Sequence, residues 1–219
     1  DSAIQNARCT LAKIINEVQV ESGVTVNDLM TANKAASTRL LNFINQTSPI
    51  KQHEYLDGTN VLLSVNMFGS EGLAPIILEA FAPNNLKSFP YPLPGFRQET
   101  NRLQDVYTGV IVDARNLKFN VNLLPKIYDT DGRLIYDYQY LDQILVMDKG
   151  ITEYVKTPEH FLYAVTGHSR AGSRPLNVKA LKVTDNGCNI VIGKDDADKM
   201  LAQNEKWGIL SACAVCIAY

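Results

Sequence analysis

No apolar run in this chain approaches the ~18–20 residues that a membrane-spanning helix requires, so no transmembrane helix is expected. An excess of positive charge is missing as well. Lys plus Arg is 21 against 23 Asp plus Glu, for a net charge of -2, which excludes a global electrostatic footprint for nucleic acid. Cysteine is scarce. Four residues, Cys9, Cys188, Cys213 and Cys216, are too few for a disulfide scaffold, although an even number permits bridges. The three histidines, His53, His160 and His168, stand at no metal-ligand spacing, and no glycine-rich phosphate loop or solenoid-length repeat occurs. No cofactor or metal is expected from these residues. What is present is ordinary for a globular protein, with 46% hydrophobic and 20% charged residues over 219 positions. A chain of this length buries roughly 70% of its unfolded surface and needs neither metal nor disulfide to fold.

Hydrophobic periodicity organises the amino-terminal part. Ile4, Ala7, Leu11, Ile14, Ile15 and Val18 share one face of a helix over 3–18, and Cys9 falls opposite that stripe. Residues 18–26 alternate and read as extended. Asn27 or Asp28 is placed to cap a second helix running to about Asn45, with Ala36, Leu40, Phe43 and Ile44 on its core face. Asp57-Gly58 signals a two-residue hairpin turn, after which Val61, Leu63, Val65 and Met67 alternate with polar residues. A short helix from Leu73 to Phe81 closes this region. Residues 82–104 carry Pro83, Pro90, Pro92 and Pro94, which rule out helix interior and central strand. This stretch reads as a strap, and Phe89, Tyr91 and Phe96 suit it to lie on a surface.

The remainder reads as a second α/β region. Strands are expected at 106–113, 177–183 and 188–192, and a hairpin over 125–136 around Asp131-Gly132. Asp195 or Asp196 is expected to cap a helix to about Gln203, and an apolar strand to run from Ile209 to Tyr219. The expected fold class is therefore α+β. Two small α/β subdomains, 1–81 and 105–219, each carry a short antiparallel or mixed sheet packed by helices, joined by the proline-rich strap 82–104.

Several segments resemble chemistry-bearing motifs without meeting their requirements. Gly167-His168-Ser169-Arg170-Ala171 imitates a nucleophile elbow, but Gly172 and Pro175 forbid the helix that must follow, and no histidine comes after the serine. It reads as a flexible loop. Cys213-Ala-Val-Cys216 has no second such pair to complete a zinc site, and in a strand its two sulfurs diverge. One bridge, from Cys188 to Cys213 or Cys216, is the expectation for these thiols. Asp129-Thr-Asp131-Gly132 imitates a calcium loop but has Lys126 nearby and Tyr138 where a late glutamate belongs. Tyr136, Tyr138 and Tyr140, if on a strand, line one face suited to a sugar or a protein surface.

Three stretches carry a wider likeness: the first helix leading into Val18-Gln-Val-Glu-Ser-Gly-Val-Thr-Val26, the helix over 31–46 with its Asp57-Gly58 hairpin, and Tyr107-Thr-Gly-Val-Ile-Val-Asp-Ala-Arg115 with Leu124 to Arg133. Together they resemble the bacterial lipoprotein-20 family of secreted and outer-membrane-associated proteins, some of them flagellum-associated. The resemblance implies a non-enzymatic structural protein of the periplasm, outer membrane or cell exterior that assembles into rings, sheaths or filaments. Its expected partner is a second copy of itself, with another envelope protein or cell-wall glycan as the alternative. Cys9, Phe89, Tyr91 and Phe96 are the expected inter-subunit contacts, joined by the last strand.

Overall fold

The computed structural model describes residues 2–55, 58–81, 86–96 and 106–219. Contacts divide the chain into two units, one of residues 1–20 and 24–83 and the other of residues 21–23 and 84–219. The fold class is α+β.

In the first unit, α1 (Ser2–Asn16) buries Ile15 and leaves Cys9 exposed, as its periodicity requires. Ile14 lies at the edge of the stripe and is 59% exposed. Strands β1 (Gln19–Glu21) and β2 (Val24–Thr25) form a two-stranded sheet, turning at Gly23 with φ of +75°. The expected single helix to Asn45 is two helices, α2 (Val26–Ala32) and α3 (Lys34–Gln46). Thr25 and Asp28 form a capping box on α2. Asn33 has extended φ/ψ, donates its N–H to Leu29 O at 2.9 Å and caps α3 by accepting from Ala36 N at 3.1 Å. An asparagine that can end one helix and start the next breaks the run without disturbing its core face, since Ala36, Leu40 and Ile44 remain buried.

Strands β3 (Lys51–Tyr55) and β4 (Gly58–Leu62) pair antiparallel, with Tyr55 opposite Gly58. Gly58 is thus the first residue of β4, and residues 56–57, which include Asp57 of the expected turn, lie outside the described residues. The alternation after the hairpin is as expected, with Asn60, Ser64 and Asn66 exposed and Val61, Leu63, Val65 and Met67 partly buried. Helix α4 (Ala74–Phe81) buries Ala74, Ile76, Ile77 and Leu78 and packs on α2 and α3.

The second unit is built on a seven-stranded mixed sheet. Its strands are β5 (Gly109–Asp113), β6 (Ile127–Asp129), β7 (Leu134–Tyr136), β8 (Glu153–Val155), β9 (Pro175–Thr184), β10 (Asn189–Ile192) and β11 (Val215–Ala218), in the spatial order β7-β6-β10-β9-β5-β11-β8. Strands β9, β5, β11 and β8 run parallel; β10 opposes β9, β6 follows β10, and β7 opposes β6. Strand β5 is central and buried at Gly109–Val112, which explains its unbroken apolar run.

Helix α5 (Gln143–Lys149) is capped by Asp142, and α6 (Pro158–Tyr163) by Thr157 with Pro158 at its first turn. The latter passes into a π-turn at Ala164–His168. Ala164, with the partly buried Phe161 and Val165, packs on Ile111, Val155, Cys216 and Ala218 from one face of the sheet. Helix α7 (Lys194–Trp207) begins at Gly193, not at an aspartate cap. Asp195 and Asp196 lie in its first turn, where they complement the helix dipole.

The expected strand from Ile209 is shortened to β11, because residues 209–213 form turns instead. Asn204 Oδ1 accepts from the backbone N–H of Leu210 and of Ser211, both at 2.9 Å, and Cys213 adopts φ of +54°. The end of the chain is nevertheless covered, since β11 lies between β5 and β8. It is therefore not available as a contact between copies.

Candidate functional site

Three places concentrate polar side chains, strained backbone or unpaired edge, and each is built by different elements.

The first is the hairpin of the first unit. All five residues of β3 are exposed, although their side chains point to both faces of the hairpin. Strand β4 lies against α1, while β3 pairs only with β4 among the described residues. Tyr55, Ile50 and Leu62 on or beside this hairpin are 59%, 58% and 52% exposed. The sequence Lys-Gln-His-Glu-Tyr has no apolar alternation, and that was the available sign of a strand wet on both faces.

The second is an open groove in the same unit, about 340 Å³ in volume, where the end of α3 meets residues 64–71. Phe43, Gln46, Thr47 and Ser48 form one wall, and Ser64, Val65, Asn66 and Glu71 the other. Thr47 is committed to the wall: its hydroxyl donates to Phe43 O at 3.0 Å and its carbonyl accepts from Arg8 at 3.1 Å. No local motif marks this groove, because its halves come from separated segments.

The third is the polar interior of the second unit. Arg170 is pinned rather than flexible, contrary to the loop expectation. Its N–H donates to Glu153 Oε2 at 2.7 Å and its guanidinium to the carbonyls of Gly150 (2.8 Å) and Lys149. The Tyr136 hydroxyl is fully buried, donates to Ile151 O at 2.6 Å and also contacts the Cys213 thiol. Burial pushes the Cys213 thiol up, and pushes Cys216 up to about 12 with help from Glu153. Thiols held protonated in this way are poor nucleophiles and poor metal ligands.

The expected bridge between Cys188 and Cys213 or Cys216 does not form; all four cysteines are free thiols. Cys188 immediately precedes β10 and Cys216 lies in β11, and β9 and β5 stand between those strands, too wide a gap for a disulfide. In the folded protein a thiol reagent should label Cys9 within minutes and spare Cys188, Cys213 and Cys216, all three buried. All four should react after denaturation. Mass spectrometry of the labelled chain checks this, and rapid labelling of Cys216 would contradict the burial described.

The remaining motif readings resolve as follows. Gly167–Ala171 leads from helix to strand, the reverse of an elbow, and Ser169 Oγ donates to Ala164 O at 3.4 Å while the His168 ring stacks on Tyr163. The oxygens of Asp129 are taken by the backbone N–H of Asp131 and of Arg133 and by the Arg133 guanidinium, each at 2.9 Å, so this turn holds an arginine where a calcium loop would hold its ion. Strand β7 ends at Tyr136, and residues 138–140 form a 3-10 turn. Tyr136 and Tyr138 are buried, so the three tyrosines present no common aromatic face. Among the described residues no three His, Cys, Asp or Glu side chains cluster as a metal site.

The described part of the strap, residues 86–96, lies on the second unit as its aromatic content suggests. Lys87 N–H donates to Gln139 O at 2.8 Å, and Leu93 N–H donates to Asp198 Oδ1 at 3.0 Å. Phe89, one of the expected contacts between copies, is partly buried and packs on Tyr140 and Tyr136 of its own chain with centroids 5.0 and 6.4 Å apart. Tyr91 is 75% exposed, and Phe96 is partly buried. The rest of the strap lies outside the described residues.

No curated protein matches the chain. Residues 109–219 match the family model described as Treponema pallidum Tp0624, second domain, a span that begins with β5 and contains the whole seven-stranded sheet. Covering just over half of the 219 residues, that match shows that this chain belongs to the family of the Tp0624 second domain.

Proposed function

We propose that this chain is a non-enzymatic structural subunit of the bacterial cell envelope that assembles with copies of itself. The observation that carries the reading is the β3 edge: five consecutive residues exposed, paired on one side only among the described residues. A row of free backbone N–H and C=O groups is a template for pairing with another strand. Pairing of β3 with β3 of a second copy is isologous and stops at a dimer. A ring, sheath or filament needs a second, different contact. Tyr91 and the outward face of α1 bearing Cys9 are exposed surfaces suited to it. The envelope location rests on the resemblance to lipoprotein-20 proteins and is tested by fractionating the producing cell.

Light scattering on the purified protein tests the assembly. The wild type should show mass well above the 24.3 kDa of one chain, rising with concentration. Gln52→Lys with Glu54→Lys sets like charges along the edge and should sharply lower the mass, to no more than the species that the second contact alone can hold, with unchanged circular dichroism. A wild type that stays monomeric at high concentration removes the proposal.

A further inference from the structure

We infer that the groove of the first unit binds a neutral, pyranose-type sugar. This goes beyond the assembly reading and does not depend on it. The volume of about 340 Å³ falls within the ~300–1,000 Å³ of small-ligand sites. The chemistry of the walls decides the class of ligand. Gln46 and Asn66 each present an amide, donor and acceptor side by side, which is the pattern that neighbouring sugar hydroxyls complement. Ser48 and Ser64 add two hydroxyls that donate or accept, and Glu71 adds acceptors. None of these five side chains makes a hydrogen bond within the protein among the described residues, so their capacity is unspent. Phe43 and Val65 supply the apolar surface that the C–H face of a sugar ring needs.

The alternatives fit less well. No Lys or Arg lines the groove. It also sits at the C-terminal end of α3, the negative end of that helix dipole, and carries the Glu71 carboxylate, while the nearby Arg8 guanidinium is engaged with the Thr47 carbonyl at 3.1 Å and is not among the lining residues. Phosphates, sulfates and carboxylates are therefore disfavoured. A strongly cationic ligand meets one exposed carboxylate only, and an apolar ligand would leave most of the polar wall without partners.

Nitrogen–proton correlation spectra of the whole chain test the inference, because the single tryptophan, Trp207, lies in the other unit and reports nothing here. Maltotriose and N-acetylated chitotriose serve as neutral probes and trigalacturonate as the anionic control. At least one neutral probe should give saturable shifts with Kd of about 1 mM, confined to the side-chain amides of Gln46 and Asn66 and the backbone of residues 64–66. Asn66→Ala and Gln46→Ala, both at exposed positions, should each weaken binding about 3–10-fold. Phe43→Leu, which keeps most of the buried volume, should weaken it as well. Absence of saturable shifts with both neutral probes, shifts located elsewhere, or equal affinity for trigalacturonate would each overturn the inference. Each of these results can be obtained whether or not the protein assembles, so the two ideas fail separately.

Discussion

Replacing Arg133 with alanine should destabilise the second unit by ~3–5 kcal/mol, the cost typical of removing one partner from a buried ion pair. Arg133 joins three elements. Its Nε donates to Asp129 Oδ2 at 2.9 Å at the end of β6, and a terminal nitrogen donates to Asp198 Oδ1 at 2.7 Å on α7. The other terminal nitrogen reaches Tyr91 O of the strap at 3.3 Å. The two carboxylates are 1% and 6% exposed, so neither recovers water when the guanidinium is gone. Asp198 Oδ1 also holds Leu93 N–H, so the strap loosens with it. Urea unfolding should show a lower midpoint, and limited proteolysis should cut residues 86–96 faster than in the wild type. Arg133→Lys, which keeps one charge but only one point of contact, should fall between the two. An alanine variant within 1 kcal/mol of wild type would show that hydration replaces the arginine.

The same network sets an acid limb of stability. Burial works against ionisation of Asp129, but the backbone and guanidinium of Arg133 and the Asp131 N–H outweigh it and hold the carboxyl below its ordinary value. A carboxyl lowered on folding adds stability that is complete above its unfolded value of about 3.9 and is lost as pH falls through the lower folded value. Wild-type stability should therefore decline below about pH 4. The Arg133→Ala variant keeps the backbone N–H groups of residues 131 and 133 on Asp129 and loses only the guanidinium, so its decline over the same range should be shallower but still present.

How much of this was readable beforehand depends on the range of the interaction responsible. The α1 stripe, the Asp131-Gly132 hairpin and the strand at β5 are local patterns, and each occurs close to where periodicity and turn chemistry place it. Gly132, with φ of +83°, closes the hairpin turn. The break at Asn33 is also local, but an asparagine followed by Lys-Ala-Ala competes with a continuous apolar stripe, and the stripe was the stronger signal. The failure at Ile209–Cys213 has a different cause. Those residues are apolar enough for a strand, and what bends them is the side chain of Asn204, buried on α7 and accepting from the backbone of Leu210 and Ser211. An asparagine in a helix does not announce that role. The tyrosines at 136, 138 and 140 failed similarly: alternation is real only if the strand continues, and β7 stops at the first of them.

The candidate sites were less readable than the fold. A groove assembled from residues 43–48 and 64–71 has no spacing to detect, and an unpaired edge is a property of sheet order rather than of composition. Sheet order itself was beyond reach, because β5 pairs with β9 and β11, far away in sequence. That is also why the cysteine expectation failed. Cys188 and Cys216 each adjoin or occupy a strand of one sheet, as supposed, but those strands are not neighbours.

Gly109→Ala should cost the second unit ~3 kcal/mol or more, from a single added methyl group. A Cβ on Gly109 would stand 2.4 Å from Ala214 O, 2.6 Å from Ala171 Cα and 2.7 Å from Ala171 O. All three are backbone atoms, so no side chain can swing aside. Ala214 O accepts the Val110 N–H at 2.8 Å where β5 meets β11, and Ala171 O accepts the Thr108 hydroxyl at 2.7 Å. Relieving the clash therefore moves the central strand away from a neighbour on which the parallel half of the sheet depends. Gly132→Ala is the informative control. Its positive φ costs a β-carbon about 1–2 kcal/mol, yet nothing lies within 4 Å of the added atom. One substitution thus measures crowding and the other measures backbone conformation. Urea midpoints at unchanged m-value should rank Gly109→Ala well below Gly132→Ala. The reverse order would mean that β5 and β11 separate easily, and that their close approach contributes little to the sheet.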